Sequence, residues 1–165
     1  MVLIPTVAAD NGSTRFINNT FEIHDNDSLG MVTAYSANVG GYDSTVPPEA
    51  STVNGELGVQ PHSGVGYYRI AGEDKSNSEN SFIYFKLYTN LNISIHEGMK
   101  LSYWVYHYQH TQSKRMAIDL VFEDGSTLRD SGITDTRGQR IHPAFRNDPL
   151  NQWVQVEVDL SPHTG

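Results

Sequence analysis

The sequence predicts an all-β protein built as an antiparallel β-sandwich, and three observations support this. The apolar residues gather in short runs that are rich in aromatic and β-branched side chains, which favour strands. Gly, Asn and Asp stand at the ends of these runs, as is typical of turns. No amphipathic pattern is long enough for a substantial helix, and strands without intervening helices pack as antiparallel sheets.

Five runs are predicted as the principal strands. In chain order they are 66–71, 81–88, 100–109, 116–122 and 153–160. The dipeptide Asp124-Gly125 after the fourth run favours a hairpin turn. Shorter strands are predicted at 14–17 and 31–35. The stretches 38–60 and 130–152 are predicted as long loops, where the binding sites of rigid sandwiches tend to lie.

The alternation of side chains along a strand predicts which face of each run is buried. For the runs 100–109, 116–122 and 153–160 the predicted inward side chains are Leu101, Tyr103, Val105, Met116, Ile118, Leu120, Phe122, Val154, Val156, Val158 and Leu160. Asp119 is predicted to point outward, and so are Trp104 and Tyr106. Burial of these two aromatic residues under a covering loop is an equal alternative, because large aromatic side chains are often mostly buried.

Length and charge narrow the class of protein. A chain of 165 residues suits one domain with its own core, so a single domain is predicted over 1–165. The net charge of -8 disfavours nucleic acid and anionic membranes as partners. The absence of cysteine excludes disulfides, thiolate zinc sites and a cysteine nucleophile.

The sequence carries no convincing catalytic motif, so we expect a protein that is not an enzyme. Retaining glycoside hydrolases of jelly-roll fold place a pair of carboxylates on one strand, and Glu157-Val158-Asp159 lacks the second Glu. Tyr84-Phe85-Lys86 resembles the start of a strand of jelly-roll alginate lyases, but the Gln-x-His strand of those enzymes is absent. The seven histidines are scattered, which favours surface histidines over a zinc site.

A calcium site is predicted near the start of the chain. Glu22, Asp25 and Asp27 lie close together in a turn-like stretch, and carboxylate oxygens at short spacing suit Ca²⁺. A solvated acidic turn is an equal alternative, because the string does not match an EF-hand loop.

Residues 62–161 resemble a recurring domain of secreted bacterial glycoside hydrolases. The most specific part is Leu128-Arg129-Asp130-Ser131-Gly132, followed by Asp135, Gly138, His142-Pro143 and Trp153. The sequence is similar here to galactose-binding-like jelly-roll carbohydrate-binding modules. The resemblance implies a jelly roll, secretion, a catalytic domain in the parent protein, and a structural calcium ion held partly by Phe21-Glu22 and Asp25. Such domains usually continue beyond Ser161 with further strands, so either the C-terminal strand is truncated or another segment takes its place.

The chemistry of sugars selects the candidate ligand-binding residues. Sugar C–H faces stack on aromatic rings that have a polar edge, so Trp104, Tyr106 and Tyr108 are predicted as a stacking platform. Hydrogen bonds to sugar hydroxyls are predicted from polar side chains of one strand and the following long loop: Asp119, Arg129, Asp130, Asp135 and His142.

The expected function is therefore binding of an extracellular polysaccharide or oligosaccharide without cleavage, which would target an attached enzyme to its substrate. A structural or adhesion domain is the main alternative, and a jelly-roll polysaccharide lyase or hydrolase is a weaker one. The sequence does not choose between a site on a strand face and a site in the loops, and it does not identify the sugar.

Overall fold

The computed structural model describes residues 37–40, 49–53, 58–64, 66–71, 82–85, 93–109 and 114–164. These residues fall into two compact units, divided between residues 92 and 93. The strands described in both units form antiparallel pairs. The short strands predicted at 14–17 and 31–35 lie outside the described residues. The arrangement of all strands in one jelly-roll domain over 1–165 stays a prediction.

The described part of the first unit contains two strand pairs. Strand β1 (Ala37–Gly40) pairs with β4 (Phe82–Phe85), and β2 (Glu49–Val53) pairs with β3 (Tyr67–Ala71). The predicted strand at 66–71 is confirmed, and β4 forms the middle of the run predicted at 81–88. The neighbouring residues Tyr67 and Tyr68 are both buried, so both faces of β3 are covered.

The prediction that 38–60 is one long loop is wrong, because β2 and most of β1 lie within it. Neither strand has the alternating apolar pattern that would mark it in the sequence. The backbone of β2 pairs along its whole length with β3, from Glu49 opposite Ala71 to Val53 opposite Tyr67. Pairing with a partner strand therefore stabilises an extended conformation that the local sequence only weakly favours.

The second unit is centred on the pair β5 (Lys100–Tyr106) and β6 (Trp153–Asp159). Both strands were predicted, and the predicted alternation of their faces is confirmed. The inward side chains are 7% exposed or less: Leu101, Tyr103, Val105, Val154, Val156 and Val158. Four of these six, Tyr103, Val105, Val156 and Val158, have no exposed surface at all, so the inner face of this pair forms the core of the unit.

Residues 116–122 do not form the predicted strand. The described structure gives these residues one β-bridge, between Val121 and Thr127. Residues 116–120 are all half-buried, so the predicted alternation of buried and exposed faces is wrong there. The physical reason is that side chains take the backbone donors that a ladder would need. The N–H of Ile118 donates to the hydroxyl of Tyr103 at 3.3 Å, and that of Leu120 donates to the carboxylate of Asp119 at 2.9 Å.

The hairpin turn predicted at Asp124-Gly125 is confirmed. The N–H of Phe122 donates to the Ser126 carbonyl at 3.0 Å and that of Leu128 to the Leu120 carbonyl at 2.9 Å, which closes a short hairpin. Gly125 has a φ of 83°, a left-handed conformation that glycine adopts without steric cost. The Asp124 carboxylate accepts from the Ser126 hydroxyl and N–H, and these bonds hold the pKa of Asp124 below its usual range.

Residues 114–148, here called the loop layer, pack against the β5–β6 pair. The bond from Ile118 to Tyr103 places that part of the layer on the inner face, because Tyr103 is an inward residue. Further along, the N–H of Thr136 donates to the carbonyl of Glu157 in β6 at 2.9 Å. Leu128 and Ile141 are 0% exposed and extend the core into the layer. The prediction of a long loop at 130–152 is confirmed, with short 3₁₀ turns at Arg129–Ser131 and Pro143–Phe145. None of the described helices is long and apolar enough to cross a membrane.

Candidate functional site

The outward side chains of β5 and β6 bring three half-buried aromatic rings together. Trp104 lies opposite Gln155, and Tyr106 lies opposite Trp153. The rings of Tyr106 and Trp153 meet edge to face, with centroids 5.2 Å apart and planes at 67°. All three aromatic side chains are half-buried and Gln155 is exposed. We call these four residues the aromatic face.

Polar groups continue this surface toward the other end of the strand pair. The ammonium of Lys100 donates to Glu157 Oε1 at 2.8 Å, and this bond raises the pKa of Lys100. The amide of Gln155 lies 3.5 Å from the hydroxyl of Ser102, which is buried. Tyr108, the third residue of the predicted platform, lies past the end of β5 beside the bridge between His107 and Leu150, and it is half-buried.

Four of the five predicted hydrogen-bonding residues come together in the loop layer, as a group that we call the loop cluster: Asp119, Arg129, Asp130 and His142. Oxygen Oδ1 of Asp119 accepts the N–H of Arg129 at 2.9 Å, while Oδ2 lies 3.6 Å from the Arg129 Nε. Oxygen Oδ2 of Asp130 accepts from Thr127 at 2.8 Å and from Arg129 at 3.2 Å, and Oδ1 lies 3.8 Å from His142 Nε2. These bonds bring residues from positions 119 to 142 of the chain into one cluster.

The two carboxylates of the loop cluster differ in their environment. Burial raises the pKa of Asp119 even though two backbone N–H groups bond to it. The bond from Thr127 and then that from Arg129 hold the pKa of Asp130 below its usual range. Their oxygens are already engaged within the protein, so a ligand that bonds to them has to compete with these contacts.

The predicted platform and the predicted hydrogen-bonding residues lie on opposite sides of the β5–β6 pair. Trp104 is an outward neighbour of the inward Tyr103, and the loop layer bonds to Tyr103. Successive side chains of a strand point to opposite faces, so the aromatic face and the loop cluster are separated by the sheet. The predicted residues therefore form two distinct candidate sites.

Asp135, the remaining predicted residue, lies in a buried ionic cluster that sequence reasoning missed. Its side chain and that of Asp148 are 0% exposed, as is that of Arg146. Arg146 donates to Asp148 Oδ2 at 2.7 Å and to Asp135 Oδ2 at 3.0 Å. Arg137, with a side chain that is 33% exposed, donates through one nitrogen to Asp148 at 2.7 Å and to Asp135 at 3.0 Å. The described structure leaves Asp135 no exposed side-chain surface for a ligand.

Electrostatics keep both carboxylates of this cluster ionised. Burial by itself raises the pKa of Asp148, but the contacts with His107, Arg146 and Arg137 outweigh it and hold the pKa far below its usual range. His107 Nε2 lies 3.4 Å from Asp148 Oδ2. Burial also opposes ionisation of Asp135, and the N–H of Gln139 with the guanidinium of Arg146 more than compensates. The cluster connects the loop layer to the end of β5 through His107. Sequence reasoning missed it because no periodic pattern predicts which charged residues will pair.

The described residues contain no group of three or more His, Asp or Glu side chains that could hold a metal ion. The predicted calcium ligands Glu22, Asp25 and Asp27 lie outside the described residues, so that site stays a prediction. Comparison of the chain with protein-family models, with curated proteins and with solved structures found no match.

Proposed function

We propose that the chain is a non-catalytic carbohydrate-binding module of a secreted protein, and that it binds an extracellular polysaccharide on the aromatic face. The observation that carries the proposal is the placement of Trp104, Tyr106 and Trp153 together on one outward face, half-buried and beside the exposed amide of Gln155. Aromatic rings supply stacking surfaces for the C–H faces of sugars, and the amide supplies a donor and an acceptor for hydroxyls.

The aromatic face is a better candidate than the loop cluster for the main contact with a glycan. Its rings expose apolar surface that gains free energy when a sugar displaces water from it. The carboxylates of the loop cluster, by contrast, already accept bonds from backbone N–H groups and from Arg129. A site on a strand face favours internal segments of long polysaccharides over chain ends.

Affinity electrophoresis against a panel of soluble polysaccharides, followed by calorimetry, tests the proposal with calcium present and then chelated. We expect one glycan class to retard the protein and Trp104→Ala to weaken binding at least about tenfold, because central aromatic residues dominate such contacts. Both tryptophans of the chain lie on the aromatic face, so glycan binding is also expected to change the intrinsic fluorescence.

Phe122→Ala is the matched control for the loss of an aromatic ring. The rings of Phe122 and His163 stack with centroids 4.7 Å apart, so Phe122 belongs to the loop layer and is not part of the aromatic face. We expect this variant to bind glycan as the parent protein does, with folding of both variants checked by circular dichroism. No binding to any glycan by the folded chain would contradict the proposal in favour of an adhesion or structural role, and release of reducing ends would contradict its non-catalytic part.

A further inference from the structure

A cleft of about 320 Å³ lies within the loop layer. One wall is Lys114 and Arg115, and the other is Ala144, Arg146 and Asn147. The ammonium of Lys114 donates to Asn147 Oδ1 at 3.2 Å, so a hydrogen bond ties the two walls together. The volume lies at the lower end of the range of roughly 300–1,000 Å³ that is typical of small-molecule sites.

The cleft is positively charged although the chain as a whole is acidic. Three of its five lining residues are cations and none is an acid. The charge of Arg146 is compensated by Asp135 and Asp148, which also hold Arg137. Within the part of the chain that the structure describes, no carboxylate lies at ion-pair distance from Lys114 or Arg115. Two uncompensated cations at one cleft favour an anionic ligand.

An exposed aromatic ring belongs to the chain segment that lines the cleft. Phe145 lies between the lining residues Ala144 and Arg146 in the sequence, and it is 59% exposed. Its ring is held by the guanidinium of Arg140, 5.0 Å from the ring centroid, and by the imidazole of His142, whose ring centroid is 5.2 Å away. A 3₁₀ turn that begins at Pro143, with His142 Nδ1 accepting the N–H of Ala144 at 3.1 Å, fixes the position of this segment.

We infer that this cleft binds the carboxylate or sulfate group of an acidic polysaccharide. The guanidinium of Arg115 offers a planar pair of donors that matches either anion, and Lys114 adds a second positive charge. The inference rests on the proposal that the chain binds glycans, and it adds a site separate from the aromatic face and a class of substrate.

The test measures the affinity of the full chain for three polymers: polygalacturonate, a sulfated galactan and an uncharged galactan. We expect at least one of the two acidic polymers to bind about tenfold more tightly than the uncharged one, and the better of the two identifies the anion. Arg115→Gln is expected to abolish this preference while leaving the affinity for the uncharged polymer unchanged. A tenfold preference corresponds to about 1.4 kcal/mol, the scale of one hydrogen bond between charged groups.

Two further variants separate a specific site from general charge. Lys100→Gln removes one positive charge from the opposite side of the sheet, and we expect it to leave the ratio of acidic to uncharged affinity unchanged. Arg115→Lys keeps the charge but loses the paired donors, and we expect it to retain only part of the preference. The preference should also weaken as salt is added, because these cations are solvent-accessible.

The outcomes separate the two proposals. If the uncharged galactan binds in a way that depends on Trp104, and the acidic polymers bind no more tightly, the inference that the cleft binds an anionic group is overturned. The proposed function would then still stand. An equal loss of preference in Lys100→Gln and Arg115→Gln would also overturn the inference about the cleft. A preference that depends on Arg115 but survives Trp104→Ala would support the cleft and contradict the role of the aromatic face. Failure of all three polymers, and of the wider panel, to bind would overturn both.

Discussion

Replacement of Arg146 by Met tests whether the buried ionic cluster holds the loop layer in place. The substitution keeps most of the apolar stem and removes the guanidinium. Three bonds are lost with it: to Asp148 at 2.7 Å, to Asp135 at 3.0 Å and to the carbonyl of Arg140 at 3.3 Å. The partners that remain for these two carboxylates, which have no exposed surface, are then weaker. Asp148 keeps Arg137, which is one-third exposed, the side-chain amide of Gln139 and His107. Asp135 keeps Arg137 and the backbone N–H groups of Arg137 and Gln139.

The expected cost is about 3–5 kcal/mol, which is typical when one partner of a buried ion pair is removed and the other charge stays buried. This is a large fraction of the roughly 5–15 kcal/mol that stabilises a domain. With a urea dependence of about 2 kcal/mol per molar, the midpoint of unfolding should fall by about 2 M. Tryptophan fluorescence reports this transition directly, because Trp104 and Trp153 both lie on the β5–β6 pair.

Arg140→Met is the matched control, since Arg140 is exposed and its guanidinium contacts only the exposed ring of Phe145 in the contacts described above. We expect it to cost less than about 1 kcal/mol. The double variant Arg146→Met with Asp148→Asn should lose less stability than the sum of the two single variants, because the second change removes a charge that the first leaves unpaired. A cost below about 1 kcal/mol for Arg146→Met would refute the idea that the buried ionic cluster holds the loop layer in place. Additive costs of the two substitutions in the double variant would refute it as well.

Three further predictions concern the same unit. The pKa values of Asp135 and Asp148 are lower in the folded state than the ~3.9 of an unfolded chain, so both carboxylates stabilise the fold above about pH 4. This contribution is lost as the pH falls through their folded pKa values. At pH values below about 4 the urea concentration at the midpoint of unfolding should therefore decrease, and it should decrease less steeply in Asp148→Asn. Tyr103→Phe should cost about 1–2 kcal/mol in urea unfolding, because the N–H of Ile118 loses its acceptor within the loop layer. Gly125→Ala should cost about 1–2 kcal/mol through its φ of 83° alone, since nothing lies within 4 Å of the added Cβ.

Each of these has its own check. If stability falls equally steeply with decreasing pH in the parent protein and in Asp148→Asn, Asp148 is not the group that makes stability depend on pH. Burial raises the pKa of Tyr103 to about 12, so the tyrosine absorbance of Tyr103→Phe and of the parent should rise in parallel until about pH 11; an early difference would contradict the burial. Gly125→Asn should cost less than Gly125→Ala, because Asn tolerates a left-handed backbone, and equal costs would exclude backbone strain as the cause.

Local pattern predicted the parts of the structure that depend on neighbouring residues. The alternation of apolar and polar side chains in 100–106 and 153–159 placed Tyr103 and Val156 in the core and Trp104 on the outer face. The sequence also predicted the Asp124-Gly125 turn, because a tight turn needs a residue with a left-handed backbone and Gly125 supplies it. The same apolar alternation misled at 116–122, because the hydroxyl of Tyr103 and the carboxylate of Asp119 occupy backbone donors there.

What the sequence by itself determined is therefore the β5–β6 pair and its two chemically different faces, because side chains alternate between the two faces of a strand with a period of two residues. Only the tertiary structure decided which polar residues meet. It gathered Asp119, Arg129, Asp130 and His142 on the side of the sheet opposite Trp104, and it buried Asp135 against Arg146. Contacts between residues far apart in the chain depend on how the loop returns to the sheet, and the free energy of burying a charge depends on partners that no local pattern specifies.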